Sequence, residues 1–404
     1  MPDLKRELPD WIDAFMMYTD NSEPPTMFRK WTAISTIASA MQRKVRIDWG
    51  PAMSWFPNMY IILVGKSATG KGTAMGPALD LLHDVPTIKL AANATSLQAL
   101  IKHLKETNCT DIDMETGSTV LHSSLTIFSK EFTVFLGYHN RELMAALCDW
   151  YDCDRRWSYE TISRKKEEIL GVWVNLIGAT TPDLVQSSLP MDSIGGGLTS
   201  RIIFICEDKP AKMVPLPTIT GKEIRLRELL LHDLEKISML SGSFSWTDGF
   251  SDMWVSWCHK CNENPPFYNS KFDGYLGRRR LHAMKLAMII SASHGKHDLV
   301  LKSDDLEEAI KWLIEAETNM EKVFRGVGKG QITSLINQAV VFIVNSKTTD
   351  IPVWQFARHF KDDMDKFTMD RVINTLESMK MVTVIKRPGT DDIIKVLDTS
   401  EKSV

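Results

Sequence analysis

The stretch "YIILVGKSATGKGTAMGPALDLL", residues 60–82, constrains this chain more than any other. A short apolar run ends in a loop with glycine at 65 and 70 and lysine at 66 and 71, and periodic apolar positions then resume. The pattern G-x-x-x-x-G-K between a predicted strand and a predicted helix is a phosphate-binding loop. Its successive backbone N–H groups converge on phosphate oxygens, and glycines let the backbone come close. The helix N-terminus adds partial positive charge and Lys71 a full one. Gly65, Thr69, Gly70, Lys71, Gly72 and Thr73 are therefore the candidate ligands of a nucleotide, read as ATP with Mg2+. Gly72 departs from the usual pattern, because a magnesium-binding hydroxyl normally follows the second lysine. The nearest hydroxyl comes one residue later, making Thr73 the candidate metal ligand.

At 404 residues the chain exceeds one typical core, so two or three units are expected. A formal charge of -3 excludes a globally basic nucleic-acid coat, while leaving room for local basic patches. No apolar run reaches membrane-spanning length, and the acidic, charged start does not read as a signal segment. The six cysteines are sparse and irregular, as in a reducing compartment. A cytoplasmic protein, with no membrane partner, is expected. Cys258 and Cys261 form a C-x-x-C, but no second ligand pair lies at zinc-site spacing, so they read as ordinary thiols on a helix.

The order of patterns is helical over 9–45, then strand-like and helical by turns through "MYIILVG", "LTIFSKEF", "VWVNLIGATT" and "RIIFICE". Alternation of this kind predicts an α/β fold with a mostly parallel sheet and helices on both faces. The Pro- and Lys-rich "DKPAKMVPLPTITGKE" reads as a linker, and 222–325 as largely helical. The last stretch predicts three helices followed by two strands around "PGTD", the order of a winged helix. The expected domains are an N-terminal helical segment (1–45), a nucleotide-binding core (46–215), a helical lid (216–328) and a winged helix (329–404).

Glu131 ends the strand-like "SSLTIFSKEF" about sixty residues after Lys71. An acid placed there can polarise an attacking water. The aspartate that usually precedes it is replaced by Lys130, so metal binding would rest more on Thr73, on the phosphates and on Ser129. "GKGT" also resembles the nucleoside monophosphate kinases. "TDGFS" at 247–251 lacks the proline and arginine of their motif, and the chain is longer than they are.

Three further stretches follow in order: "NLIGATTPD", "GGGLTSRIIFI" and "GRRRLHAMKLAMIISAS". With the phosphate loop and Glu131 they resemble the AAA+ ATPases, in particular minichromosome-maintenance-like helicases. They also resemble a family of phage and mobile-element P-loop proteins often described as helicases or primase-associated helicases. The resemblance covers roughly residues 10–325. It implies a catalytic set of Lys71, Glu131, Thr181 as sensor 1, Arg201 as arginine finger and Arg279 as sensor 2. A finger acting in trans implies a homo-oligomeric ring, most often a hexamer. The implied activity is ATP-dependent DNA translocation by a replicative helicase of a phage or mobile element, in the bacterial host cytoplasm. Its partners would be single-stranded or forked DNA and a primase or other replication proteins. An initiator or helicase loader that unwinds little is the alternative.

Between two predicted strands, Arg155 to Lys166 holds five basic residues and one acid, and reads as a hairpin with its tip near Ser163–Lys166. In the helicases just named a hairpin at this position meets the DNA backbone, which makes Arg164, Lys165 and Lys166 candidate DNA contacts. A solvated basic turn is the plainer reading. Lys386 and Arg387 sit where the wing of the last module would meet phosphates, although protein docking suits that module equally. "DWYDCD", 149–154, clusters acids without a histidine at ligand spacing and reads as a helix-end loop.

Overall fold

Tyr60–Val64 is a strand buried at every position, as a central parallel strand covered on both faces must be. The computed structural model describes residues 5–51, 53–92, 95–113, 116–137, 140–161, 164–188, 196–324, 331–346, 348–361, 363–387 and 391–397. They fall into two units, Met1–Arg325 and Gly326–Val404.

The first unit opens with α1 (Trp11–Tyr18), α2 (Thr26–Met41), β1 (Val45–Trp49), β2 (Met53–Trp55) and β3 (Tyr60–Val64). After the loop of residues 65–70 come α3 (Lys71–His83), α4 (Leu97–Glu106), β4 (Asn108–Ile112), β5 (Thr119–Ser129), α5 (Phe132–Leu136) and α6 (Arg141–Asp152). The hairpin β6 (Arg156–Thr161) and β7 (Arg164–Leu170) leads to β8 (Val172–Thr180), α7 (Pro182–Ser188) and β9 (Ile202–Cys206). The unit closes with α8 (Gly221–Ile237), β10 (Gly242–Trp246), α9 (Asp248–Glu263), α10 (Asp273–Ser293), β11 (Val300–Leu301) and α11 (Ser303–Met320).

The central sheet has the order β4-β5-β8-β3-β9. β5, β8, β3 and β9 run parallel, and β4 pairs antiparallel with the first half of β5. Beside the second half of β5, Leu90 forms a parallel bridge to Thr126, a one-residue remnant of a further strand. Helices cover both faces. On one, Asn175 of β8 donates to Ser35 Oγ at 2.9 Å and Ser39 Oγ at 3.0 Å of α2. On the other, the Tyr60 hydroxyl donates to Leu147 O of α6 at 2.8 Å. A second sheet, β11-β10-β1-β2, was not legible as such: β10 and β11 lie inside the stretch expected to be largely helical.

That second sheet spans two of the expected domain segments. β1 pairs in parallel with β10, so residues next to the N-terminal segment are bonded to the presumed lid. Asp233 of α8 accepts the backbone N–H groups of Glu7 and Leu8 at 2.9 Å and 2.8 Å, and Trp11 Nε1 donates to Leu230 O at 2.9 Å. Segments 1–45, 46–215 and 216–324 thus share one unit, and α2 is buried almost throughout as part of its core.

The second unit comprises α12 (Gln331–Asn345), β12 (Asp350–Pro352), α13 (Val353–His359), α14 (Lys366–Ser378), β13 (Val382–Ile385) and β14 (Ile393–Val396). Its antiparallel sheet, β12-β14-β13, and its helices enclose a core around Ile351, Phe356, Val372, Leu376 and Ile394. No helix among the described residues is long and apolar enough to cross a membrane.

Candidate active site

The connection leaving β3 runs toward β5, and the one leaving β8 runs the other way, to β9. Right-handed crossovers put such oppositely directed connections on opposite faces, which opens a crevice at the carboxyl ends of β3 and β8. The glycine-containing loop of residues 65–70 begins in that crevice. Gly65 N donates to Thr180 O at 3.2 Å and Glu207 N to Val64 O at 3.0 Å, tying the ends of β3, β8 and β9 together.

The loop is shaped by its glycines. A Cβ on Gly65 would stand 2.7 Å from both Glu207 O and Thr69 Oγ1, closer than real contacts allow. Gly70 takes φ +79° as it enters α3, and its position is walled by Pro24. Thr69 is buried, its hydroxyl donating to Lys66 O at 2.9 Å. Lys71 folds over the loop, with Nζ donating to Gly65 O at 2.7 Å and Lys66 O at 2.8 Å. Burial holds its amine below the ordinary lysine value, against the opposing pull of the Glu131 carboxylate. Gly72, by contrast, has nothing within 4 Å of a built Cβ. The absent hydroxyl at 72 is not a steric requirement of this fold. Thr73 is exposed on the first turn of α3.

These groups fit a phosphate chain: a glycine cradle, a helix N-terminus and one cation aimed at the same mouth. For magnesium the donors are fewer. Thr73 and Glu131 are the side chains at hand, and no cluster of three or more His, Cys, Asp or Glu suited to a metal exists among the described residues.

Ser129 lies opposite Gly178 and Val64 opposite Thr180, so the ends of β5, β8 and β3 come level. β5 ends at Ser129, and the chain turns at Lys130 and Glu131 into α5, with Glu131 exposed. Thr181 follows β8 at the crevice, where its hydroxyl accepts Leu184 N at 3.4 Å, the bond of a helix cap on α7.

Arg201 and Arg279 occupy settings that the sequence did not reveal. Arg201 immediately precedes β9, at the amino end of the sheet. Its Nε donates to Asp152 Oδ1 at 3.2 Å, its second terminal nitrogen to Asp152 Oδ2, and Nη1 to Gly197 O at 2.9 Å. Arg279 is buried with Glu317 in a two-pronged pair of 2.6 Å and 2.8 Å and lies 5.3 Å over the Trp257 ring. Its guanidinium is fully engaged inside the helical layer, which also absorbs Cys261 Sγ at 3.0 Å from Nη1. The neighbouring Arg278 instead meets Asp152, beside Arg201, at 3.2 Å. Only the tertiary contact distinguishes 278 from 279 within the run "GRRRL". Asp152 itself lies in the last turn of α6, not in a loop.

The basic hairpin exists as β6–β7, with Arg156 opposite Leu170 and Thr161 opposite Arg164. Arg164, Lys165 and Lys166 begin β7, and their side chains, like residues 162–163, lie outside the described set. Trp157 Nε1 donates to Asp149 Oδ2 at 3.0 Å, and its ring stacks on Tyr159 at 6.1 Å. In the second unit Lys386 and Arg387 are exposed directly after β13, and Arg387 N donates to Asp392 Oδ1 at 3.3 Å.

The fold and site define a mixed α/β protein with parallel strands in its central sheet. No protein-family model matches the sequence, and no curated protein matches it significantly.

Proposed function

We propose that this chain is an ATP-hydrolysing, ring-forming DNA translocase of the AAA+ type, a replicative helicase of a phage or mobile element. The observation that carries the reading is the cradle of Gly65 to Lys71 in the crevice between β3 and β8, with Lys71 folded over it and Glu131 at the turn after β5. Lys71 would hold phosphate oxygens, and Glu131 would orient and deprotonate a water. Bound ATP and Mg2+ would supply the cleavable phosphoanhydride and charge neutralisation.

The ring is supported by distance. Arg201 precedes β9 at the level of Met59, whereas the cradle starts beyond Val64. Five or six strand residues place them about 18 Å apart at ~3.3 Å per residue. Arg201 is therefore remote from its own subunit's phosphates, and a role in hydrolysis requires a neighbouring copy. In this reading Arg278 accompanies it more naturally than Arg279. The helix–strand–helix–helix–strand–strand order of the second unit supports a winged helix, with Lys386 and Arg387 at the wing.

Lys130 in place of an aspartate favours slow hydrolysis, and so keeps a second reading alive: an initiator or helicase loader that switches on ATP. Phosphate release with and without single-stranded DNA, together with strand displacement on a forked duplex, tests both. Lys71→Ala and Glu131→Gln should each lower hydrolysis by at least about 100-fold. Hydrolysis that survives Lys71→Ala would end the ATPase reading. Robust hydrolysis without displacement would favour the loader.

A further inference from the structure

Two of the buried cations in the first unit, Lys285 and Arg43, have no carboxylate bonded to them among the described residues. Lys285 of α10 is fully buried, with Nζ donating to Asn58 O at 3.1 Å and Asn58 Oδ1 at 2.7 Å, and with the Tyr151 ring 3.7 Å away. Arg43 is also buried, stacked 4.2 Å over Phe56 and donating to Val172 O at 3.0 Å and to Cys153 O. All these acceptors are neutral, and neither cation forms an ion pair with a described residue. A buried charge in that condition is destabilising until an anion joins it.

Both cations line a cleft of about 1220 Å3 that opens to solvent at the amino ends of the central strands, opposite the phosphate cradle. The base of the β6–β7 hairpin forms part of its rim through Arg155 and Arg156, both exposed, and Trp55 and Phe56 form an aromatic wall. Three of the four acids here touch an arginine of the lining. Asp48 and Asp113 bind Arg46 at 3.2 Å and 2.9 Å, and Asp152 binds Arg278 at 3.2 Å. Arg156 also lies 3.8 Å from Glu168, and the six cations of the lining outnumber its four carboxylates by two, beside flat apolar rings.

We propose that this cleft holds a segment of single-stranded nucleic acid, its phosphates on Lys285, Arg43 and Arg155 and a base against Trp55. A strand backbone supplies the missing anions in series, and rings stack on an aromatic face without regard to sequence. The inference rests on the DNA reading above and adds to it a path: the strand passes the base of the hairpin and the amino edge of the sheet, not only the basic residues near the tip.

The test is fluorescence anisotropy of a labelled oligothymidylate with the full chain, without nucleotide. Arg155→Glu on the exposed rim and Lys285→Met on the floor should each weaken binding by at least about ten-fold and flatten its salt dependence. Arg155→Glu leaves the buried residues untouched, so it decides the matter even if Lys285→Met fails to fold. Unchanged affinity in a folded Arg155→Glu protein overturns the cleft assignment and leaves the translocase reading standing. Wild-type protein that binds no strand overturns both. Displacement of the strand by a mononucleotide or inorganic phosphate at equal concentration would instead reveal a small-anion site and overturn the strand assignment.

Discussion

Arg201 and Arg278 converge on one oxygen, Asp152 Oδ1, each at 3.2 Å. One arginine precedes the edge strand of the central sheet and the other lies on α10, so a single carboxylate joins the sheet to the helical layer. Two guanidiniums around one carboxylate also form a geometry suited to phosphate. In a ring, the nucleotide of an adjacent copy would compete with Asp152 for them.

Asp152→Asn should lower stability by about 1–3 kcal/mol, because Arg201 is buried and would lose its charged partner while Asp152 itself is partly exposed. A lowered urea midpoint at unchanged slope is the measurement. In assembled protein Arg201→Ala should reduce hydrolysis by about 1000-fold, the scale of a trans-acting arginine. Full activity in that variant would remove the trans role.

The two loop glycines should respond in opposite directions. Gly72 has open space for a side chain. Gly72→Ala should therefore stabilise the protein by about 0.5–1 kcal/mol through helix propensity and a less flexible unfolded chain. Gly72→Ser restores a hydroxyl next to the lysine, and a magnesium titration of nucleotide binding should show half-saturation at lower metal concentration. Gly65→Ala meets backbone at 2.7 Å and should destabilise by about 1–3 kcal/mol, with nucleotide binding lost.

Burial lowers the Lys285 amine to about 7 from its ordinary 10.5. Between those values the unfolded chain carries a proton that the folded chain lacks, so this group makes stability rise with pH from about 7 to 10.5. Its burial penalty is fully present below about 7. Comparing urea midpoints of wild type and Lys285→Met across pH 6–10 isolates the effect. The variant's relative advantage should be largest at pH 6 and shrink as pH rises.

His294 has the opposite sign. Hydrogen bonds to Asp10, Asp305 and Glu308 raise its imidazole to about 11 from 6.5, against its burial. Its stabilising contribution is complete below about 6.5 and is lost as pH rises toward 11. Histidine NMR should show no titration of His294 between pH 5 and 9. His294→Gln should cost about 1–2 kcal/mol at pH 6, a figure kept below that of a fully buried pair because the site is partly open to solvent.

Local pattern carried much of the architecture. The apolar run Tyr60–Val64, the glycines at 65 and 70, the basic hairpin before β8 and the helix–strand order of the last module all depend on near neighbours and short-range periodicity, and they are legible in sequence. β10 and β11 are not: "GSFSW" and "VL" are too short to announce themselves, and they become strands because β1 offers β10 an edge and β10 offers one to β11. Glu131 is placed by its own strand. The roles of arginines 201, 278 and 279 depend on carboxylates 49, 126 and 38 residues away.

The sequence by itself determined the tight loop between β3 and α3, since the turn needs its glycines in fixed places. It also determined the alternation that makes the central sheet mostly parallel. Tertiary structure alone decided which arginine meets Asp152, that Gly72 has room to spare, and that Lys285 and Arg43 lie buried beside an open cleft. Charge pairing and burial depend on what the rest of the chain brings within a few ångströms, and residue spacing along a chain does not encode that distance.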